Sequence, residues 1–202
     1  EMMRVMEARG AHIHAGRCRS ILKNAFHLAS DEGLMPEDEN PAWKKPKREG
    51  IGHVKTGNPT IPWNEVPELM TSINANDCGG TVLTQLALKF YLMSCIRVGT
   101  VVSLEWDWFD SSTDMWVIPA STRGLKRKLE HKDNDKYAHL IPATPELHLL
   151  MDQIRQITGY QKYVFLSPEG DKYPHLNPET LNEHLRNLGW KDRLTAHGWR
   201  KV

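Results

Sequence analysis

The segment TAHGWR at residues 195–200 places a histidine and an arginine three positions apart. On a helix this spacing puts both side chains on one face, so His197 and Arg200 are expected to point the same way. A planar guanidinium can bind phosphate through two parallel hydrogen bonds, and an imidazole can exchange a proton near neutral pH. The pair therefore indicates an anion site. The alternative for so short a motif is a surface histidine and an arginine paired with a carboxylate.

A second candidate is Arg97, which follows the apolar segment 81–94 and precedes another apolar run. A charged side chain in such surroundings has to pair with an opposite charge or face a ligand. Two interpretations remain open here. Either Arg97 binds an anion, or it forms a buried ion pair with Glu105 or Asp107.

The third feature is the charged segment 121–138, which we call the arm. Basic residues outnumber acidic ones in it: Arg123, Lys126, Arg127, Lys128, Lys132 and Lys136 against Glu130, Asp133 and Asp135. A basic hairpin tip can follow a phosphate backbone, whereas an isolated charge run is more often simply solvated.

The elements that must position these residues divide the chain in two. Apolar residues recur at spacings of three and four within residues 11–34, which predicts an amphipathic helix that ends near Gly33. Asn40-Pro41 then breaks the chain. The following stretch, WKKPKREGIGHVKTGNPTIP, is polar and basic and is typical of a linker.

From about residue 62 the pattern becomes that of a compact domain. Helices are predicted at 65–73 and 81–94, and further helices begin at Thr144, at Asn177 and after Thr195, because each of these residues suits an N-cap. The predicted strands are MWVIP at 115–119, YAHLIP at 137–142 and a third at 163–166, with the arm as a long hairpin between the first two.

Composition excludes several classes of protein. The 202 residues contain three cysteines and no close pair, so we expect a reducing cytosol and no disulfide framework. No apolar run is long enough to span a membrane, and no signal-peptide pattern is present. Nucleotide-loop, hydrolase and zinc-ligand motifs are missing too, so neither metal nor cofactor is expected. The net charge of +1 does not by itself indicate a polyanionic partner.

Taken together, three segments resemble boxes of the tyrosine recombinase family, in particular integrases of phages and genomic islands. IRVGTVVSLEWDWFD is similar to the segment that carries the first active-site arginine. MWVIPAS, a basic turn and then HLIPAT resemble the hairpin that carries the catalytic lysine. LTAHGWR resembles the HxxR box. The three boxes occur in the order that the family has.

This resemblance implies an α+β, mainly α-helical chain. Residues 1–48 would be the end of a helical core-binding domain and 49–61 a basic linker. Residues 62–202 would be a catalytic domain with a small antiparallel sheet, incomplete at its C-terminus. The implied catalytic residues are Arg97, Lys126, His197 and Arg200. The implied DNA-binding residues are Lys44, Lys45, Lys47, Arg48, Arg123, Arg127 and Lys128.

The implied reaction is site-specific DNA recombination. A tyrosine attacks the scissile phosphate and forms a 3′-phosphotyrosyl link, which conserves the bond energy without metal or ATP. The two arginines would stabilise charge on the phosphate, His197 would assist proton transfer and the hairpin lysine would protonate the leaving oxygen. The resemblance further implies duplex DNA with attachment sites as partner, a homo-oligomer on DNA, an accessory DNA-bending protein, and a place in the bacterial cytoplasm with the nucleoid.

The sequence departs from the family pattern in three respects. Thr100 stands where many members have an acid, and Arg123 occupies a turn position where many have the lysine, so that Lys126 is favoured over Lys128 only by its place in the turn. All five tyrosines precede the HxxR box. The chain is therefore expected to be an excerpt that stops before its nucleophile and is inactive alone. The alternatives are a non-catalytic DNA-binding module with this fold, and a phosphate-binding or protein-interaction domain unrelated to DNA.

Overall fold

The computed structural model describes residues 2–42, 57–170 and 173–202. The chain separates into two compact units, Glu1–Thr56 and Gly57–Val202. The predicted DNA-binding residues Lys44, Lys45, Lys47 and Arg48, and most of the predicted linker, lie outside the described residues. None of the described helices has both the length and the apolarity that crossing a membrane requires.

The first unit is a helical hairpin. Helix α1 spans Met2–Ala8 and helix α2 spans His12–Asp31, followed by a short 3-10 turn at Glu37–Glu39. Asn40 fixes the chain after that turn, because its side chain donates to the Lys23 carbonyl at 3.3 Å and accepts from the Ala42 amide at 2.9 Å. In the described part of this unit the predicted apolar stripe of α2 is largely exposed to solvent; Ile21, for example, is 68% exposed.

The second unit is built around α4, which spans Val82–Ser94. Apolar residues occupy nearly all faces of this helix, so it is buried on most sides. Phe90 and Tyr91 are fully buried, and the ring of Phe90 meets Trp116 and Phe165 edge-on at 5.8 and 5.6 Å. Around α4 pack α3 (Val66–Ala75), α5 (Val98–Val102), α6 (Pro145–Thr158), α7 (Pro178–Leu185) and α8 (Ala196–Trp199).

A three-stranded antiparallel sheet covers one side of this core. Its order is β1 (Phe109–Asp110), β2 (Met115–Ile118) and β3 (His139–Pro142). Trp116 stands opposite Ile141, and Ile118 stands opposite His139 at the base of the arm. The fold prediction of a mainly helical chain with a small antiparallel sheet is therefore confirmed.

The prediction of a third strand at 163–166 is wrong. Tyr163 makes one isolated bridge to Glu105, and the third strand is instead β1, directly before β2. The apolar residues Val164 and Phe165 are completely buried as part of the helical core. Val164 and Phe165 are of types common in strands because they are buried, not because they pair with a strand. The third strand of the sheet is the two-residue β1, which pairs with β2.

The arm is also less exposed than predicted. It contains two 3-10 turns, Leu129–His131 and Asp135–Tyr137, and the rings of His131 and Tyr137 stack at 3.9 Å. Leu125 is only 8% exposed and belongs to the core. One apolar side chain therefore anchors the start of an otherwise polar segment to the body of the unit.

Candidate active site

Arg97 lies at the turn between α4 and α5, where it is the residue that precedes the first helical residue of α5. Its half-buried side chain donates from Nη1 to the carbonyl oxygen of Leu125 at 3.1 Å. The alternative ion pair is not what the structure forms, because Glu105 pairs with Lys162 at 3.3 Å. Within the described ranges Arg97 has no carboxylate partner, and it keeps further N–H donors available for a ligand.

Helix α8 carries the HxxR box and is fixed on the end of α4. The Thr195 side chain caps α8 by accepting from the Gly198 amide at 3.0 Å. Trp199 donates from its indole to the Leu92 carbonyl at 2.9 Å, and the Tyr91 hydroxyl donates to the Ala196 carbonyl. Burial raises the pKa of Tyr91 to about 12, against the lowering effect of the Arg200 charge. Tyr91 is therefore a neutral donor that holds α8 in place.

Arg200 follows α8 directly and is exposed. Its Nε donates to the carbonyl oxygen of Cys95 at 3.0 Å. Cys95 ends α4 in a left-handed conformation (φ 51°) and lies two residues before Arg97. The two arginines thus meet at one chain connection, although they are far apart in sequence.

The beginning of the arm supplies the other wall of this site. Gly124 has φ +104° and approaches α5 so closely that a Cβ there would lie 2.8 Å from Thr100 Oγ1. Lys126 is also left-handed, with φ 52°, and its side chain is exposed. A lysine in this conformation is strained, and such strain persists only where the surroundings impose it. Lys126 directly follows buried Leu125, whose carbonyl accepts the hydrogen bond from Arg97.

His139 was not among the predicted site residues, yet it lies in the same region. Burial, and then the charges of Arg127, Arg200 and Arg97, lower the pKa of its imidazole. All three guanidinium groups are therefore close enough to act on one ring. Nothing in the sequence around His139 marks it, since its surroundings come from three distant segments.

The charges of Arg97, Arg127 and Arg200 thus all act on His139, and we call these four residues the arginine cluster. His197 lies on α8, three residues before Arg200, and is exposed and without a hydrogen bond inside the described part of the chain. Arg123 and Lys128 are exposed on the arm, and Lys128 pairs with Glu130 at 3.6 Å. Among the described residues, no group of three or more His, Cys, Asp or Glu side chains is arranged to hold a metal ion.

Comparison with known proteins gives related sequences over most of the chain. The chain is 29% identical to the integrase of Enterobacteria phage P4, with 98% of this chain and 44% of that protein covered. It is 25% identical to the prophage integrase IntZ of Escherichia coli K12 over 71% of this chain and 32% of that protein. The chain thus spans less than half the length of these curated relatives. No protein-family model matches.

Solved structures with the same fold are also integrases. A lambda integrase dimer bound to a COC′ core site matches with a TM-score of 0.65 at 17% identity, covering 98% of this chain and 53% of that chain. The Tn1549 transposon integrase in complex with a circular intermediate DNA matches with a TM-score of 0.69 at 13% identity, covering 98% of this chain and 68% of that chain. The resemblance to the phage-type integrase family is confirmed by these relatives and by this fold.

Proposed function

We propose that this chain is the phosphate-activating part of a site-specific DNA recombinase that integrates or excises a mobile element. The observation that carries the proposal is the placement of Arg97 and Arg200. Both are anchored through backbone carbonyls of neighbouring turns, and neither has a carboxylate partner among the described residues. Two such groups can hold the two non-bridging oxygens of one phosphodiester. Relatives that are named integrases, and fold neighbours solved on DNA, support the assignment.

In the proposed reaction a tyrosine oxygen attacks the phosphorus, a 3′-phosphotyrosyl bond forms and the 5′-oxygen leaves. Arg97 and Arg200 stabilise the charge that develops on the phosphate oxygens in the transition state. His197, exposed on α8, accepts the proton of the nucleophile, and Lys126 donates a proton to the leaving oxygen. The reaction needs no metal and no ATP, because the covalent link conserves the energy of the broken bond.

The nucleophile is proposed to be a tyrosine that follows Val202 in a longer protein. Tyr91 is unsuited to the role, because it is buried, hydrogen-bonded to the Ala196 carbonyl and has a pKa raised to about 12. The other tyrosines, at 137, 160, 163 and 173, precede the HxxR box as well. Residues 1–202 alone should therefore bind DNA without cleaving it.

The proposed partner is duplex DNA, with basic residues of the arm contacting backbone phosphates. Residues 1–48 would be the end of a core-binding domain, and 62–202 would be the catalytic domain. On attachment sites the protein would act as a homo-oligomer, assisted by a DNA-bending protein, in the bacterial cytoplasm with the nucleoid. The lambda integrase dimer and tetramer structures on DNA support the oligomer.

The test of DNA binding is a titration of residues 1–202 with duplex DNA at several salt concentrations. Affinity should fall steeply as salt rises, because each phosphate contact releases counterions. Arg97→Gln and Arg200→Gln should weaken binding, whereas Arg193→Gln, which removes an arginine paired with Glu65 and Glu68 outside the proposed site, is the matched control. A salt-independent affinity would contradict contacts with backbone phosphates, and no binding at any salt concentration would indicate a domain unrelated to DNA.

The test of cleavage is a nicked suicide substrate that carries an attachment-site core. A version extended to the natural C-terminus should form a denaturant-resistant adduct with DNA, and replacing the downstream tyrosine by Phe should abolish it. An adduct with residues 1–202 would mean that an upstream tyrosine is the nucleophile. DNA binding without any adduct in the extended protein would establish a non-catalytic DNA-binding module.

A further inference from the structure

His139 begins β3 at the base of the arm, opposite Ile118 of β2. The chain that leaves β2 here turns at Gly124 against Thr100 of α5, and the next residue, Leu125, binds Arg97 through its carbonyl. His139 is thus half-buried on the returning side of the same hairpin whose outgoing side binds Arg97 through Leu125.

Every charged side chain that acts on His139 in the described part of the chain is a guanidinium group. These groups belong to Arg127 of the arm, to Arg97 just before α5 and to Arg200 just after α8, and their charges add to burial in lowering the pKa of the His139 imidazole. The Nε of Arg127 is buried and has no hydrogen-bond partner among the described residues. A buried donor without a partner is costly, so a group that supplies an acceptor there is favoured. The arginine cluster thus holds several donors and no carboxylate.

We propose that His139 is a phosphate-contacting residue that takes up a proton when a DNA phosphate binds to the arginine cluster. This inference rests on the proposed function, since a phosphodiester is the anion it requires. Without an anion, burial and three positive charges oppose the imidazolium form. A bound phosphate offsets those charges and accepts a hydrogen bond from the protonated ring.

Protonation of His139 and binding of phosphate are thermodynamically coupled, so each changes the affinity of the other. If phosphate favours the protonated ring, then protonation favours phosphate binding by the same factor. DNA affinity should therefore increase as the pH falls through the range in which bound His139 is protonated and free His139 is not. For one proton the increase is at most about tenfold per pH unit.

The first experiment follows the His139 ring by NMR in the whole chain between about pH 8 and about pH 5.5. Without DNA, Arg97→Gln or Arg200→Gln should raise the pKa of His139, because each removes a positive charge that acts on it. A short mixed-sequence duplex should raise that pKa in the unaltered chain. If the arginine variants leave it unchanged, or if bound duplex leaves it unchanged, the inference is overturned.

The second experiment measures affinity for the same duplex against pH. His139→Gln should flatten the increase at low pH. The matched control is His131→Gln, a histidine of the same arm that pairs with Glu130 at 3.4 Å and stacks on Tyr137. Salt-dependent binding with equal pH slopes for both variants would overturn the proton linkage and leave the proposed function intact. If the protein binds no DNA at any pH, both the proton linkage and the proposed function are overturned.

Discussion

The arginine cluster and the exposed part of the arm both carry positive charge, but their charged side chains are fixed in different ways. In the cluster, Arg97 and Arg200 donate to backbone carbonyls of a folded core. On the arm, Lys128 pairs with Glu130 at 3.6 Å, and their side chains are 78% and 67% exposed. Exposed pairs of this kind contribute little to fixing geometry. Under the proposed function, the cluster would position charge for the transition state, whereas the exposed residues of the arm would supply affinity for DNA.

The sharpest test of this contrast is the rate of DNA cleavage by the extended protein. Arg97→Ala and Arg200→Ala should each lower it by about 10²–10³-fold, or ~3–4 kcal/mol, since each removes a donor aimed at developing charge. Arg123→Ala, an exposed arginine of the arm, is the matched control and should change the single-turnover rate at saturating DNA only slightly. Equal losses for all three would contradict the division of roles.

A second prediction concerns the rigidity of the cluster. Gly198 lies between His197 and Trp199, and a Cβ on it would overlap the carbonyl oxygen of Pro59, which also accepts from the Thr195 amide at 3.3 Å. Gly198→Ala should therefore lower the free energy of unfolding by about 1–3 kcal/mol, measured by urea denaturation.

The control for that experiment is Gly99→Ala in α5. A Cβ at Gly99 would find its nearest neighbour, the Gly124 Cα, at an ordinary 4.0 Å. Alanine there should leave stability unchanged or raise it by about 0.5 kcal/mol, because glycine is unfavourable within a helix. A Gly198→Ala protein as stable as this control would show that α8 is free to shift.

The third prediction is that stability falls at acid pH. Burial lowers the pKa of both His184 and His139 in the folded protein. The unfolded chain therefore binds protons on these rings first, and stability is lost as the pH falls below about 6.5. For each ring the loss is at most about 1.4 kcal/mol per pH unit, the limit for one proton.

Urea denaturation at each pH checks this value. His184→Gln should reduce the pH slope, because it removes a buried ring whose Nε2 has no partner among the described residues. His14→Gln, on the exposed surface of α2, is the control and should keep the slope. A slope that is unaltered by His184→Gln would contradict the assignment.

The smallest effect is expected on the arm itself. Arg123→Ala and Lys128→Ala should each weaken DNA binding only a few-fold and reduce the salt slope by about one, the value for one lost phosphate contact. Titrations at several salt concentrations measure both quantities. A variant that weakens binding without changing the salt slope would show that its side chain does not contact phosphate.

The sequence predicts helix starts well because each depends on a local contact. Thr81, Thr144 and Asn177 all cap their helices, with side chains that accept from amides two or three residues later. The strand predicted at 163–166 fails because a strand requires a partner elsewhere in the chain. His139 was missed for a related reason, since its environment is assembled from the arm, α5 and the end of α8.

The anchoring of both arginines to main-chain carbonyls has a consequence for how this protein can change over evolutionary time. Every amino acid supplies a carbonyl, so the orientation of Arg97 and Arg200 does not depend on which side chains occupy positions 95 and 125. Position 95 can drift among residues that accept its left-handed backbone, such as Asn or Gly. Position 125 can drift among apolar residues that fill its buried site. Selection on the cluster therefore acts on backbone shape at these two positions, and a survey of relatives should find the arginines fixed while their hydrogen-bond partners vary in identity.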